Sequence, residues 1–392
     1  MSLPLKRARR TPYVCANCLK TRRHQFTTGR ILRSTAPPKL LSSGYARLTN
    51  RTVISLTGSD ASKFLQGLTT NNVDPSRDTG WFSAFLNAQG RVLMDSMIYP
   101  IKDTSGGERG YLIEVDKSIS EDLLKHLRRH KLRSKIELRD AGEEWAVWAS
   151  WTQSASTATP STTDTSITLL DPRLPSLGTR ILLSNSTSTT TTPSSLEPTA
   201  DLAEAPLESY TLNRYTNGVP EGPLEILPQT ALPLESNFDY LAGIDFRKGC
   251  YVGQELTIRT QHTGVVRKRI LPVELYNPSL SSFSKIQDSK PTYNPDVDLV
   301  KQVASGTDIK AEGGKRPSGK FLAGMGNIGL ALCRLENMTS LRVSAEGGTY
   351  KDDLEFRCSD TGVKVKAFIP GWLRLAEERK REGRKIVAAG ED

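Results

Sequence analysis

The sequence predicts an α+β protein of two or three domains ending in a small β-barrel or sandwich. Three observations carry this. The chain has 392 residues with 37% apolar and 24% charged composition, ordinary for globular proteins and long enough for a sizeable core. Strand and helix patterns mix without a strict βα alternation. From Val265 on, short strand patterns (VVRKRILPVEL, GLALCRLE, LRVSAE, LEFRC, VKVKAFI) follow one another between turns, as in small closed β structures. No run of eighteen apolar residues exists, so a transmembrane helix is not expected. Five cysteines in 392 residues exclude a disulfide scaffold.

Residues 44–59 read as a strand ending in a turn. Ser59 or Asp60 is placed to cap a helix through ASKFLQGLTT, with Phe64, Leu65 and Leu68 at helical spacing. Trp81 to Leu86 and Arg91 to Ile98 form two strands around the hairpin turn Asn87-Ala-Gln-Gly90. Tyr111 to Val115 is a further strand. A helix opening at Ser118 or Ser120 carries Leu123, Leu124 and Leu127 on one face and a basic C-terminal end that suits its dipole. Ile136–Leu138 and Trp145–Ala149 are short strands. Between Thr152 and Thr199 about half the residues are Ser or Thr, too polar to offset the entropy of ordering. Residues 167–183 interrupt this tract as an ordered hairpin. Residues 277–300 form a similar polar insertion, and Glu312 to Lys320 an exposed loop.

Charge is unevenly placed. Twelve Lys or Arg precede the first acid, Asp60, and the remainder holds 41 basic and 43 acidic residues. Residues 1–40 are basic, rich in Ser and Thr and acid-free. This is the composition of a mitochondrial transit peptide, with Arg22, Arg23 and Arg33 as processing landmarks; a disordered nucleic-acid-binding arm is the alternative. The near-neutral body argues against a nucleic-acid-binding face. The CxxC of Cys15 and Cys18 lacks a second ligand pair at zinc spacing.

Chemistry concentrates in Asp245 to Arg259, DFRKGCYVGQELTIR. Gly249 and Gly253 flank Cys250 and allow a tight turn. Arg247, Lys248 and a helix starting near Gln254 favour its thiolate. Cys333 and Cys358 sit in strand patterns and are expected to be packed. A cysteine hydrolase needs a base, and His24, His126, His130 and His262 are not fixed beside Cys250 by any pattern. Too few ligands remain to close a zinc site or a cluster. The thiolate is therefore suited to completing a cluster shared with another protein.

The run KGCYVGQE, Lys248 to Glu255, resembles the signature of the YgfZ family, relatives of the glycine-cleavage aminomethyltransferases (GcvT). Leu86 to Asp95, DPRLPSLGTR at 171–180, Arg214 to Glu221, LPLESNFDYLAGIDF and GLALCRLE resemble the family as well. The resemblance implies a three-domain cloverleaf around a central channel able to accommodate tetrahydrofolate. The first α+β domain is expected from 41–59 and 141–270, with insertions at 152–166 and 184–200. The second is expected from 60–140, and the barrel from 271–392 with an insertion at 277–320. With the transit-like start, the resemblance is to the mitochondrial branch that matures [4Fe–4S] enzymes such as aconitase and lipoate synthase.

The resemblance makes Cys250 the signature cysteine, a ligand of a [2Fe–2S] cluster shared with an A-type scaffold protein. It makes Asp95, Arg214, Glu221, Lys248, Gly249, Gly253, Gln254 and Glu255 candidate cofactor-binding residues. Asp95 stands in the segment comparable to the folate-side acid, or is a strand-end residue. Arg214 and Glu221 orient a pterin, or brace a domain junction. The competing reading is a tetrahydrofolate-dependent one-carbon transferase needing Asp95 rather than Cys250; shared fold alone does not establish that activity. The expected site is the mitochondrial matrix, with no nucleic acid and no membrane span.

Overall fold

Just after its first strand the chain changes sheets within three residues, and this crossing organises everything N-terminal to the barrel. In the computed structural model, which describes residues 37–102, 109–152, 161–163, 165–185, 202–277, 290–344, 348–359 and 361–389, β1 (Gly44–Arg47) pairs antiparallel with β7 (Trp145–Trp151). After Leu48-Thr49-Asn50, β2 (Arg51–Thr57) pairs instead with β5 (Arg109–Asp116) and β6 (Glu137–Asp140). The single strand expected over 44–59 is thus two strands in two sheets. The sheet partners of 51–57 lie in 60–140, not in 141–270.

The first sheet has the order β1-β7-β10-β9-β8, with β8 (Ser161–Thr162), β9 (Ser166–Leu170) and β10 (Thr179–Ser184). The hairpin expected at 167–183 is β9 and β10. The loop expected at 152–166 contains a short strand, because β8 pairs with β9. The second sheet runs β3-β4-β5-β2-β6, with β3 (Trp81–Leu86) and β4 (Val92–Lys102). The β3–β4 turn is held by Asn87, whose Oδ1 accepts from the amides of Gln89 and Arg91 while Gly90 takes φ +76°.

Side-chain alternation explains why the second sheet is buried on both faces. Phe82, Ala84 and Leu112 face a core shared with Ala149, Trp151, Leu169 and Phe238. Trp81, Phe85, Ile98 and Ile113 face α1 (Ala61–Gln66) and α2 (Ser120–Lys131), which bring Phe64, Leu65, Leu123 and Leu127. Asp60 precedes α1 without capping it; its carboxylate accepts from the Lys135 amide and ties α1 to the α2–β6 connection.

The barrel closes as β11-β14-β13-β12-β15-β16, with β11 (Lys268–Tyr276), β12 (Asp308–Ala311), β13 (Pro317–Met325), β14 (Ile328–Arg334), β15 (Phe356–Cys358) and β16 (Lys364–Ala367). It begins three residues earlier than expected. The insertion drawn over 277–320 contains barrel strands β12 and the start of β13, and Arg342–Ser344 form no strand. α3 (Leu207–Asn217), α4 (Gln254–Thr263), α5 (Leu335–Met338) and α6 (Gly371–Ala389) complete the fold. No helix among the described residues is long and apolar enough to cross a membrane. The transit-type segment up to Ala36, and 153–160, 186–201 and 278–289 within the insertions, lie outside the described residues.

Candidate functional site

The signature loop is gripped by the residues that follow α1. The Asp245 amide donates to Thr70 O at 3.1 Å and the Val252 amide to Gly67 O at 3.0 Å. Thr70 Oγ1 donates to Gly243 O at 2.6 Å, and Asn71 Nδ2 donates to both Phe82 O and Ala242 O. Between these anchors, Lys248 Nζ donates to the carbonyls of Gln66 (2.8 Å), Thr69 (2.5 Å) and Asn71 (3.0 Å) and lies over the Tyr251 ring. Burial pulls its ammonium down to about 7, against the attraction of Asp245. The cation that sequence reasoning aimed at the thiolate thus caps the carbonyl end of α1, where the helix dipole favours it.

Cys250 emerges from this grip exposed, while Cys333 and Cys358 are buried in the barrel core. Burial pushes the Cys358 thiol up to about 12, and the Cys333 thiol upward as well. The two glycines beside Cys250 differ. Gly253 has φ +80°, and a Cβ there would lie 2.2 Å from Asn87 O and 3.0 Å from Leu86 Cβ. It is required by the close approach of the β3–β4 turn. A Cβ at Gly249 would meet nothing within 4 Å. Gln254 opens α4, its Oε1 accepting from the Tyr251 amide at 3.2 Å, and exposed Glu255 stands in the first turn. His262 lies in the last turn of α4, roughly 12 Å of helix beyond Gln254 at 1.5 Å per residue. His126 and His130 belong to α2, with His126 edge-on to Phe85. Among the described residues, no three His, Cys, Asp or Glu side chains group as a metal site.

Asp95, Arg214 and Glu221 are brought together elsewhere, in a buried ionic network. Asp95 on β4 is 1% exposed; Oδ2 pairs with Arg51 at 3.2 Å and Oδ1 accepts from the Gly222 amide at 2.9 Å. Glu221 Oε2 accepts from Arg173 (2.7 Å), Arg180 (2.6 Å) and Tyr210 (3.1 Å). Arg214 forks onto Glu225 at 2.7 and 3.0 Å. Glu114 joins Arg51 and Tyr99. Burial alone would raise the Glu221 carboxyl, but Arg180, Arg173 and Arg214 hold it well below the usual carboxylate range. The pairing offsets much of the desolvation of these ions, although Arg180 Nε and Nη1 and Arg214 Nε are buried without a hydrogen-bond acceptor. α3 makes this possible: its end turns at Gly218, φ +71°, and it carries Tyr210 and Arg214 into the interior.

A folate-side acid needs a free carboxylate edge. Both Asp95 oxygens accept from protein donors and the side chain is buried, so these residues as arranged do not fit that role. Sequence reasoning missed Arg51, Glu114, Arg173, Arg180, Tyr210 and Glu225 as members of the network. Arg180 carried a signal: a guanidinium opening the apolar strand TRILL is buried only with partners.

Residues 267–375 match the family model of the CAF17 C-terminal beta-barrel domain. Over the whole chain the sequence is similar to curated mitochondrial iron–sulfur cluster assembly factor IBA57 homologues. That of Coccidioides immitis is 43% identical over 390 residues, covering 92% of this chain and 91% of that protein. That of Pyricularia oryzae is 44% identical, covering 94% and 95%, and that of Neurospora crassa 40%, covering 96% and 92%. In fold, the chain resembles the glycine cleavage system aminomethyltransferase T from Bartonella henselae, with TM-score 0.58 and 9% identity over 84% of this chain and 86% of that one. The barrel, the α+β fold and full-length identity above 40% converge: the chain belongs to the IBA57 family of mitochondrial iron–sulfur cluster assembly factors.

Proposed function

We propose that this protein assembles iron–sulfur clusters in the mitochondrial matrix by lending the Cys250 thiolate to a cluster carried by an A-type scaffold, in support of [4Fe–4S] enzymes such as aconitase and lipoate synthase. The observation that carries this reading is the contrast among the described thiols: Cys250 is exposed on a fixed loop, and Cys333 and Cys358 are buried. A [2Fe–2S] cluster is held by four ligands. The cluster is cargo here. Cys250 contributes one ligand, losing its thiol proton as the iron–sulfur bond forms, and the scaffold contributes the others. Arg247, two residues after the Asp245 that turns back on its amide, is exposed on the same loop and offers charge to an anionic cluster.

The test is an absorbance titration. Wild-type protein mixed with cluster-loaded A-type scaffold develops the visible bands of a shared cluster, and Cys250→Ser does not. Because Cys250 is exposed, its replacement leaves unfolding stability within about 0.5 kcal/mol. Cells carrying only Cys250→Ser lose aconitase activity and lipoylation. Normal levels of both in such cells overturn the proposal.

A further inference from the structure

Beside the Cys250 loop lies a cleft of about 320 Å³ that plays no part in the loop's anchoring or in the buried network. Its walls are the 232–235 segment, one side of α4, and the entry to β11 with the end of β14. Leu232, Leu234, Leu256 and Val266 give it an apolar lining, and Val265 at its edge is 41% exposed. Among the described residues lining it, Arg267, Lys268 and Arg334 are cationic and Glu235 is the acid. Burial raises the Glu235 carboxyl, against Lys268, Arg91 and Arg334. An apolar trough with an excess of positive charge selects an occupant that is apolar and negatively charged together.

Position narrows the occupant further. α4 starts four residues after Cys250, and Leu256, Thr257 and Thr260 on its first two turns line the cleft. From Gln254 to Thr260 the helix rises only about 9 Å. Whatever seats there lies against the helix that leads directly out of the Cys250 loop. The volume exceeds that of one side chain, so it takes a chain segment rather than a single anchor.

We propose that this cleft is the docking site for an acidic, apolar segment of the cluster-carrying partner, a segment in which leucine- or phenylalanine-type side chains alternate with carboxylates. The proposal rests on the cluster-sharing reading of Cys250 for the partner's identity, while the cleft's chemistry stands independently. Docking at the cleft supplies affinity and orientation, and Cys250 supplies the bond to iron.

The test uses the full chain and the double variant Val265→Asp/Arg267→Glu, whose side chains are both exposed. Binding of apo A-type scaffold is followed by fluorescence anisotropy. The expected result is a loss of affinity of about tenfold or more, the scale of losing an apolar anchor and a charge pair, with unchanged Cys250 alkylation rate. Cys250→Ser protein binds apo scaffold as wild type does and fails only to develop cluster absorbance. Wild-type affinity in the double variant overturns the proposal. If wild-type protein does not bind the scaffold, the partner assignment fails, and a labelled hexapeptide of alternating leucine and aspartate then decides the cleft: binding abolished by the double variant supports it, and no binding overturns it. A bound small anion of a few hundred daltons in native mass spectra, or a homodimer lost in the double variant, also overturns it by naming another occupant.

Discussion

Lys248→Met removes one ammonium and leaves the Gln66 and Thr69 carbonyls without that donor, while Asn71 O keeps only Thr69 Oγ1. Stranding buried acceptors costs about 1–3 kcal/mol, so urea unfolding should shift by that amount. Hydrogen exchange should rise at the Val252 amide, which bonds Gly67 beside the same anchor. Unchanged exchange there shows that the loop does not depend on the lysine. His126 makes a second test at this scale. Its imidazole is lowered from the ordinary 6.5 to about 4, first by burial and then by His130 and Arg129. Between those values the unfolded chain binds a proton that the folded one refuses. Stability is therefore full above pH 6.5 and falls as pH drops toward 4. His126→Leu should flatten that limb of the pH–stability curve; an identical limb in both proteins assigns the acid sensitivity to other groups. Cys250 was legible in sequence because glycines and charges surround it, whereas Cys333 and Cys358 lie in apolar strands. The destination of Lys248 was not, because its acceptors are backbone atoms 177 to 182 residues away, and backbone atoms leave no mark in a sequence.

At the scale of elements, the β3–β4 hairpin and the signature loop behave as one unit. Gly253 at φ +80° sits against Asn87 O, and a Cβ on Gly90, at φ +76°, would lie 2.9 Å from Gly253 O. Each turn needs the other's lack of a side chain. Gly253→Ala should destabilise by on the order of 1–3 kcal/mol through backbone strain, while Gly249→Ala, facing open space, should stay within about 0.5 kcal/mol. Thermal melts of the two variants separate these outcomes, and equal destabilisation would contradict the close packing at Gly253. The hairpin itself was readable from Asn87 and Gly90, and α2 from its leucine spacing, since both are local patterns. The sheet membership of Arg51–Thr57 was not, because alternation in a strand identifies its faces and not its neighbours. The barrel strands β12 and β13 were hidden for a related reason: β12 has four residues, and β13 opens on Pro-Ser-Gly-Lys, so neither carries a clear pattern before the barrel closes.

For the molecule as a whole, the buried ions join sequence-distant parts: Arg51 and Asp95 from one sheet, Arg180 from the other and Arg173 from the β9–β10 connection, Glu221 and Glu225 after α3. Glu221→Gln leaves Arg173 and Arg180 short of a counter-charge and should cost about 3–5 kcal/mol, as breaking buried pairs does. Chemical denaturation measures this, and a loss below about 1 kcal/mol would mean that the ions act as independent pairs, each worth little. These ion pairs span 11 to 48 residues, which is why sequence singled out Asp95, Arg214 and Glu221 but not the company they keep. The three-residue passage from β1 to β2 has its own bearing on how the thiol is used. A link of that length ties the sheets too closely for one to swing away from the other, and the hydrogen bonds from Asp245, Lys248 and Val252 to residues 66–71 hold the Cys250 loop to the same body. On the proposed reading of Cys250 the protein is then a fixed post rather than an arm, and the partner that brings the cluster does the moving.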